Sequence, residues 1–240
     1  MKRLVRILLV VLLAIGSATV ARPDYAQLPV SAKLIYQVRL FGTDLGNLIT
    51  RINRTGNVYH VDSQTRAEGL AAVLLGGSLR EDCDFSVSDS MEIVPRHYHI
   101  EKDGRDGYSH SADFLWRQMK VRYKDGNVLK IPRKGYVIDN CTVPFAFAAA
   151  DGVALKGYTS LHILGGQVMR HFDNIKVSRE TIRVPAGRFD TVRIDQQRVD
   201  SPDKTLTIWV APKKRNIAVK IVERRNLRVT TMELASSQGI

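Results

Sequence analysis

Lys33-Leu34-Ile35-Tyr36-Gln37-Val38-Arg39-Leu40 is the stretch that decides the fold. Leu34, Tyr36, Val38 and Leu40 alternate with Lys33, Gln37 and Arg39. A period of two sends one set to a buried face and the other to water, the signature of a half-buried strand. Similar short runs recur at residues 45–54, 58–67, 79–87, 93–101, 114–123, 161–172 and 175–184, and then at 191–199, 205–211, 217–223 and 227–234. Between them lie Arg54-Thr55-Gly56-Asn57, Lys124-Asp125-Gly126-Asn127 and Ser201-Pro202-Asp203. Their Gly, Asn and Asp residues tolerate the positive φ of tight hairpin turns. Strands this closely spaced predict antiparallel pairing, because a parallel crossover needs a longer connection.

Two segments break the pattern. Residues 68–75 are Ala/Leu-rich and precede Gly76-Gly77, which predicts a short helix with a glycine stop. Residues 139–150 have a helical composition, with Pro144 placed in the first turn, where its missing N–H costs little. Gly165-Gly166 interrupts a strand pattern and predicts a bulge or bend. The fold class expected is mainly β: a single strongly curved antiparallel sheet, a half-barrel or β-roll, with one or two short helices. Residues 22–240 would form that one domain. Long sheets curl because strand twist accumulates. A helix laid into the mouth of such a curl makes an apolar concavity, either a core or a place for a hydrophobic ligand.

The N-terminus carries an export pattern. Lys2, Arg3 and Arg6 precede an apolar run over residues 7–15, and Thr19-x-Ala21 offers the small side chains of a cleavage site. A signal peptide over residues 1–21 is the expectation, since the run is shorter than the ~20 residues of a bilayer span. Delivery across an inner membrane, most simply to a periplasm, would follow. The formal charge of +12 falls to +9 without the three basic residues of that segment. Outside the cytoplasm such charge points to anionic lipid or envelope polymer, with peripheral membrane contact, and not to nucleic acid. Cys83 and Cys141 are the two cysteines. In an oxidising compartment they can form one disulfide, the alternative being two buried thiols. Neither belongs to a CxxC pair.

Three separated motifs carry a resemblance: Ala186-Gly187-Arg188-Phe189-Asp190-Thr191-Val192-Arg193, Arg66-Ala67-Glu68-Gly69-Leu70-Ala71-Ala72-Val73-Leu74 upstream of it, and Thr207-Ile208-Trp209-Val210-Ala211-Pro212 downstream. In this order they resemble domain-of-unknown-function family 3108, a bacterial exported family. The resemblance implies export and a β-rich curled sheet, and brings no catalytic residues. The sequence departs from that family after Pro212, where Lys213-Lys214-Arg215-Asn216 replaces a Gly-Tyr-Leu-Pro-Val-like stretch. Read physically, Pro185 ends a strand and Gly187 serves a tight turn, Phe189 returns to the core, and Asp190 can bond turn amides. Trp209 would pack near a sheet end before Pro212 stops pairing.

Chemistry-bearing patterns are sparse. His97 and His99 share a strand face and could hold a metal with His110 or Asp113, although no third ligand follows from spacing. Adjacent Glu81 and Asp82, with Asp84 beyond, place the first two on opposite strand faces, which argues against a glycosidase pair, and no Gly-x-Ser-x-Gly elbow or phosphate loop is present. No cofactor is expected. The chain reads as an exported envelope protein, non-enzymatic, that binds an apolar or amphipathic ligand or an anionic surface. A scaffold or assembly factor working through protein contacts is the alternative. A hydrolase of envelope polymers would need His97, His99, Asp113, Glu81 and serines to converge.

Overall fold

The alternation at 33–40 carries directly into burial. In β1 (Ser31–Leu40) Ala32, Leu34, Tyr36 and Val38 are buried while Lys33, Gln37 and Arg39 are not. The computed structural model describes residues 28–67, 78–90, 92–104, 106–148 and 160–240. The export segment 1–21 and the Ala/Leu-rich segment 68–75 lie outside them.

Fourteen further strands follow: β2 (Thr43–Thr55), β3 (Val58–Ala67), β4 (Leu79–Val87), β5 (Ile93–Lys102), β6 (Tyr108–Leu115), β7 (Lys120–Tyr123) and β8 (Val128–Lys130), then β9 (Tyr136–Asp139), β10 (Ser160–Gly165), β11 (Val168–Val184), β12 (Gly187–Arg198), β13 (Ser201–Ala211), β14 (Ile217–Arg225) and β15 (Arg228–Gln238). They form one sheet of fifteen strands in the order 8-7-6-5-4-3-2-1-15-14-13-12-11-10-9. Two meanders thus run outward from the pairing of β1 with β15, which zips the two ends of the chain together. Every pair is antiparallel except β9 with β10. That exception has a simple cause: twenty residues separate 139 from 160, long enough for a crossover.

The outermost strands β8 and β9 do not pair with each other, so the sheet is open. It nevertheless coils on itself. All four residues of edge strand β9 are buried. Tyr136 Oη accepts from Ile93 N of β5 at 3.0 Å and donates to Ala146 O at 2.9 Å. Tyr123 Oη donates to Gly166 O at 2.8 Å, resting the β10–β11 hairpin on β7.

The coil is filled by residues 140–148. A 3-10 helix (Asn140–Phe145) starts with a capping box: Thr142 N donates to Asp139 Oδ1 at 2.9 Å, and Asp139 N donates to Thr142 Oγ1 at 3.2 Å. The short helix expected over 139–150 takes the 3-10 form in the described residues, which end at 148. Ala146 N reaches Val143 O and Ala148 N reaches Phe145 O, both three residues back. Pro144 explains the tightening, since its ring clashes with the carbonyl four residues earlier and it donates no bond. Cys141, Val143, Phe145, Phe147 and Ala148 are all buried against the sheet. Cys83 of β4 and Cys141 are joined in a disulfide with Cα atoms 6.4 Å apart.

Four local expectations change. Residues 114–123 are not one strand, because Trp116–Gln118 turn as 3-10 and Met119 takes φ 53°. Gly165-Gly166 is not a bulge; Gly166, at φ +61°, occupies the β10–β11 hairpin turn with Gln167. Ser201-Pro202-Asp203 is not a turn either. The chain reverses at Val199-Asp200, and the ladder passes from Arg198↔Ser201 to Gln197↔Thr205, leaving Pro202 in the bulge where no donor is needed. Strands β8 and β9 were absent from the pattern, the first being three residues long and the second buried on both faces.

The disulfide closes a loop of 58 residues. In the chain-entropy model a loop of that size contributes about 4 kcal/mol. The double variant Cys83→Ser with Cys141→Ser should melt roughly 10 °C lower by calorimetry, and reductant should shift only the parent protein.

Candidate functional site

The inward positions of several strands change character toward one end of the coil. On β14 inward Ile221 gives way to Glu223 and Arg225, and on β15 the inward series runs Leu234, Met232, Thr230, Arg228. On β12, Ile194 and Gln196 give way to Arg198, and on β11 Phe172 gives way to Arg170. On β4, Cys83 and Phe85 are followed by Glu81 on the same face. One end of the interior is therefore apolar and the other charged.

A network ties these groups to the filling segment. Tyr98 Oη donates to Glu81 Oε1 at 2.7 Å. Arg170 Nη2 donates to Asn140 Oδ1 at 2.5 Å, and Arg170 Nη1 lies 3.4 Å from Glu223 Oε1. Arg225 Nε reaches the same Glu223 oxygen at 2.7 Å. Arg170 Nε is buried with no hydrogen-bond partner among the described residues. Gly165 makes room for this guanidinium: a Cβ there would stand 2.3 Å from Arg170 Nη2.

Two spaces adjoin at this network. A cavity of about 170 Å³ lies between Val143 and Pro144 of the filling segment and Leu48, Leu206, Ile221 and Met232 of the wall. A chamber of about 680 Å³ sits outside it, bounded by Arg170, Arg198, Arg225, Arg228 and His110. Leu79, Asn140, Arg170, Glu223 and Arg225 border both.

Burial governs the ionisation of the inner acids. It raises Glu81, against hydrogen bonds from Tyr98 and Asn140 and the charge of Arg170 that favour the carboxylate. It pushes Asp139 up to about 7, opposed mainly by the Thr142 amide. Asp139 Oδ2 has no hydrogen-bond partner among the described residues. Desolvation lowers Arg170, Glu223 raises it, and the charges of Arg225 and Arg198 lower it further, so the three guanidiniums share one field. Asp139, Cys83 and Cys141 have the only clustering of metal-type donor atoms among the described residues, and both sulfurs are spent in the disulfide.

Of the residues weighed as a metal set, only His110 is separated from the others. His97 and His99 lie on the outer face, opposite Asp113 and Ser111, while His110 pairs with Ile100 on the inner face. His97 Nδ1 is engaged by Asp113 Oδ1 at 2.9 Å, and Ser111 Oγ stands 3.3 Å from His97 Nε2. Glu81, placed inside, does not join them. Ser111 was not singled out from the sequence; it follows from the register, which sets it diagonal to His97.

The motif residues form structure. Pro185 and Ala186 make the two-residue β11–β12 turn, Gly187 takes φ +129°, and Ala186 N donates to Leu234 O at 2.9 Å, docking the hairpin on β15. Phe189 packs on the core, whereas Asp190 accepts from Thr181 Oγ1 at 2.9 Å and not from turn amides. Arg188 is exposed, and Thr191 Oγ1 donates to Glu180 O at 2.7 Å. Trp209 lies under Arg193 and Lys220, 5.2 and 5.5 Å from its ring centre, and donates to Glu180 Oε1 at 2.6 Å. Ala211 ends β13 and Pro212 opens a short 3-10 turn (Pro212–Lys214).

Fold and interior together define a mainly-β protein on one large open sheet. A solved structure shares this architecture: the beta-barrel-like protein of domain of unknown function DUF1849 from Brucella abortus, with a TM-score of 0.56 at 10% identity, over 90% of this chain and 100% of that one. No curated protein matches. The chain belongs to the family described as Protein of unknown function (DUF3108), whose model matches residues 35–234.

Asp139 yields a pH prediction. Its folded pKa, about 7, lies above the ordinary carboxyl value of 3.8. The stability of the buried neutral acid is thus full below that ordinary value and lost as pH rises through about 7. Asp139→Asn keeps an acceptor for Thr142 and carries no charge. Its denaturant midpoint should match the parent at pH 4 and exceed it at pH 8.

Proposed function

We propose that this is an exported cell-envelope protein, periplasmic and non-enzymatic, whose coiled sheet serves as a half-barrel that holds an amphipathic ligand. The observation that carries this reading is the apolar cavity beside Val143, opening toward the arginine-lined chamber. Ligand sites are mostly apolar concavities with a few placed polar groups, which is the character of this pair of spaces. The export-type N-terminus and the +9 balance without it support delivery to a compartment where anionic lipid is the abundant partner. Size narrows the ligand. A cavity of about 150 Å³ holds one benzene, so about 170 Å³ admits part of one chain and not two packed tails.

The test is to purify the protein from its native envelope, extract it and identify bound lipid by mass spectrometry. A single-chain amphipath should be enriched, and Leu206→Trp, which fills the cavity, should deplete it severalfold while the fold is retained by circular dichroism. No enriched lipid, together with no binding to anionic liposomes at low salt, would refute the reading.

A second reading, hydrolysis of envelope polymers, is favoured by the order Asp113, His97, Ser111, which has the acid–base–nucleophile logic of a serine hydrolase. It ranks below because Asp113 is 54% exposed on a sheet face, where water weakens the electrostatic help that a preorganised dry site gives. If the reading holds, a fluorophosphonate probe adds its mass at Ser111, and His97→Ala abolishes the addition. An unmodified parent protein sinks it.

A further inference from the structure

The chamber outside the cavity has a charge balance that selects a head group. Arg170, Arg198, Arg225 and Arg228 border it. Against them stand Glu223, shared by Arg170 and Arg225, and Asp200, which engages Arg198 at 2.6 Å. Glu81 lines the inner cavity and does not border the chamber. The surplus is thus about two positive charges. A phosphate monoester carries roughly −1.5 to −2 at neutral pH and offers three acceptor oxygens, whereas a carboxylate brings a single charge. Guanidinium forks suit phosphate geometry.

One donor is already in place. The Arg170 side chain is 11% exposed and held by Asn140 and Glu223, yet its Nε–H has no hydrogen-bond partner among the described residues. A buried donor left unmade costs free energy, and an anion in the chamber would satisfy it. Arg225 and the exposed Arg228 pair across the β14–β15 hairpin at the rim, where an entering head group meets them first.

We propose that this chamber takes the head of a phosphate monoester whose single apolar chain runs inward to the cavity beside Val143. The assignment rests on the interior being an amphipath site, and the experiment separates the two. Octyl phosphate, octanoate, octanol and inorganic phosphate are titrated into the full mature protein by calorimetry at constant ionic strength. Octyl phosphate should bind at least about tenfold more tightly than octanoate or octanol. Arg225→Gln and Arg228→Gln, both at the exposed rim and so tolerated by the fold, should each weaken octyl phosphate about tenfold, the loss of one charge-assisted hydrogen bond. Octanol binding should stay within about twofold in both. Equal affinity for the three octyl compounds overturns the head-group assignment and leaves the apolar site standing. Inorganic phosphate binding as tightly as octyl phosphate overturns the chain and leaves the anion site. No binding by any of the three octyl compounds removes both.

Discussion

A coiled sheet buries its inner face only if something fills it, and here the filler is a piece of irregular backbone. Irregular backbone in an apolar interior carries N–H and C=O groups that the sheet cannot satisfy. Residues 136–148 meet that constraint with local devices. Asp139 and Thr142 satisfy each other's amides, Tyr136 bridges Ile93 N and Ala146 O, and the disulfide fixes Cys141 to β4. Because Tyr136 also belongs to β9, the same contacts bring the far edge of the sheet onto β5. The coil and its filling are thus one interaction seen from two sides.

How much of this a sequence shows depends on which period a segment obeys. Strands with one wet face, such as 33–40, declare themselves, and β3 and β4 run over the residues their alternation marks. β9 is buried on both faces, so Tyr136-Val137-Ile138 alternates with nothing and reads as a generic apolar run. The filling segment misleads for a related reason. Its alanines and phenylalanines have a helical composition, but Pro144 and the Asp139–Thr142 box commit it to a tighter turn that propensity alone does not resolve.

The charged end of the interior was legible in principle. Glu81, Arg170, Arg198 and Glu223 occupy the same parity as Cys83, Phe172, Ile194 and Ile221, and a charged residue on an apolar parity is a signal. What the pattern could not supply was that these positions, on strands far apart in sequence, fall at one end of one space. That depends on strand order, and strand order depends on β1 pairing with β15. The Ser111–His97–Asp113 alignment is likewise a product of register.

The two faces of the sheet hold charge on very different terms. Outside, Asp62 pairs with Arg51 and Arg80 across neighbouring strands, in half-exposed contacts that water screens and that contribute little each. Such a surface needs no purpose beyond solubility. Inside, Arg170 and its partner Glu223 are taken largely out of water at a cost that a pair in a low-dielectric interior does not readily recover, and apolar residues of similar volume would pack there at no such expense. The stability forgone is concentrated where the apolar cavity meets the chamber. A site that must recognise an anion at one end and a hydrocarbon at the other has to carry that cost at this junction, and nowhere else in the described residues does buried charge border an open apolar space so closely.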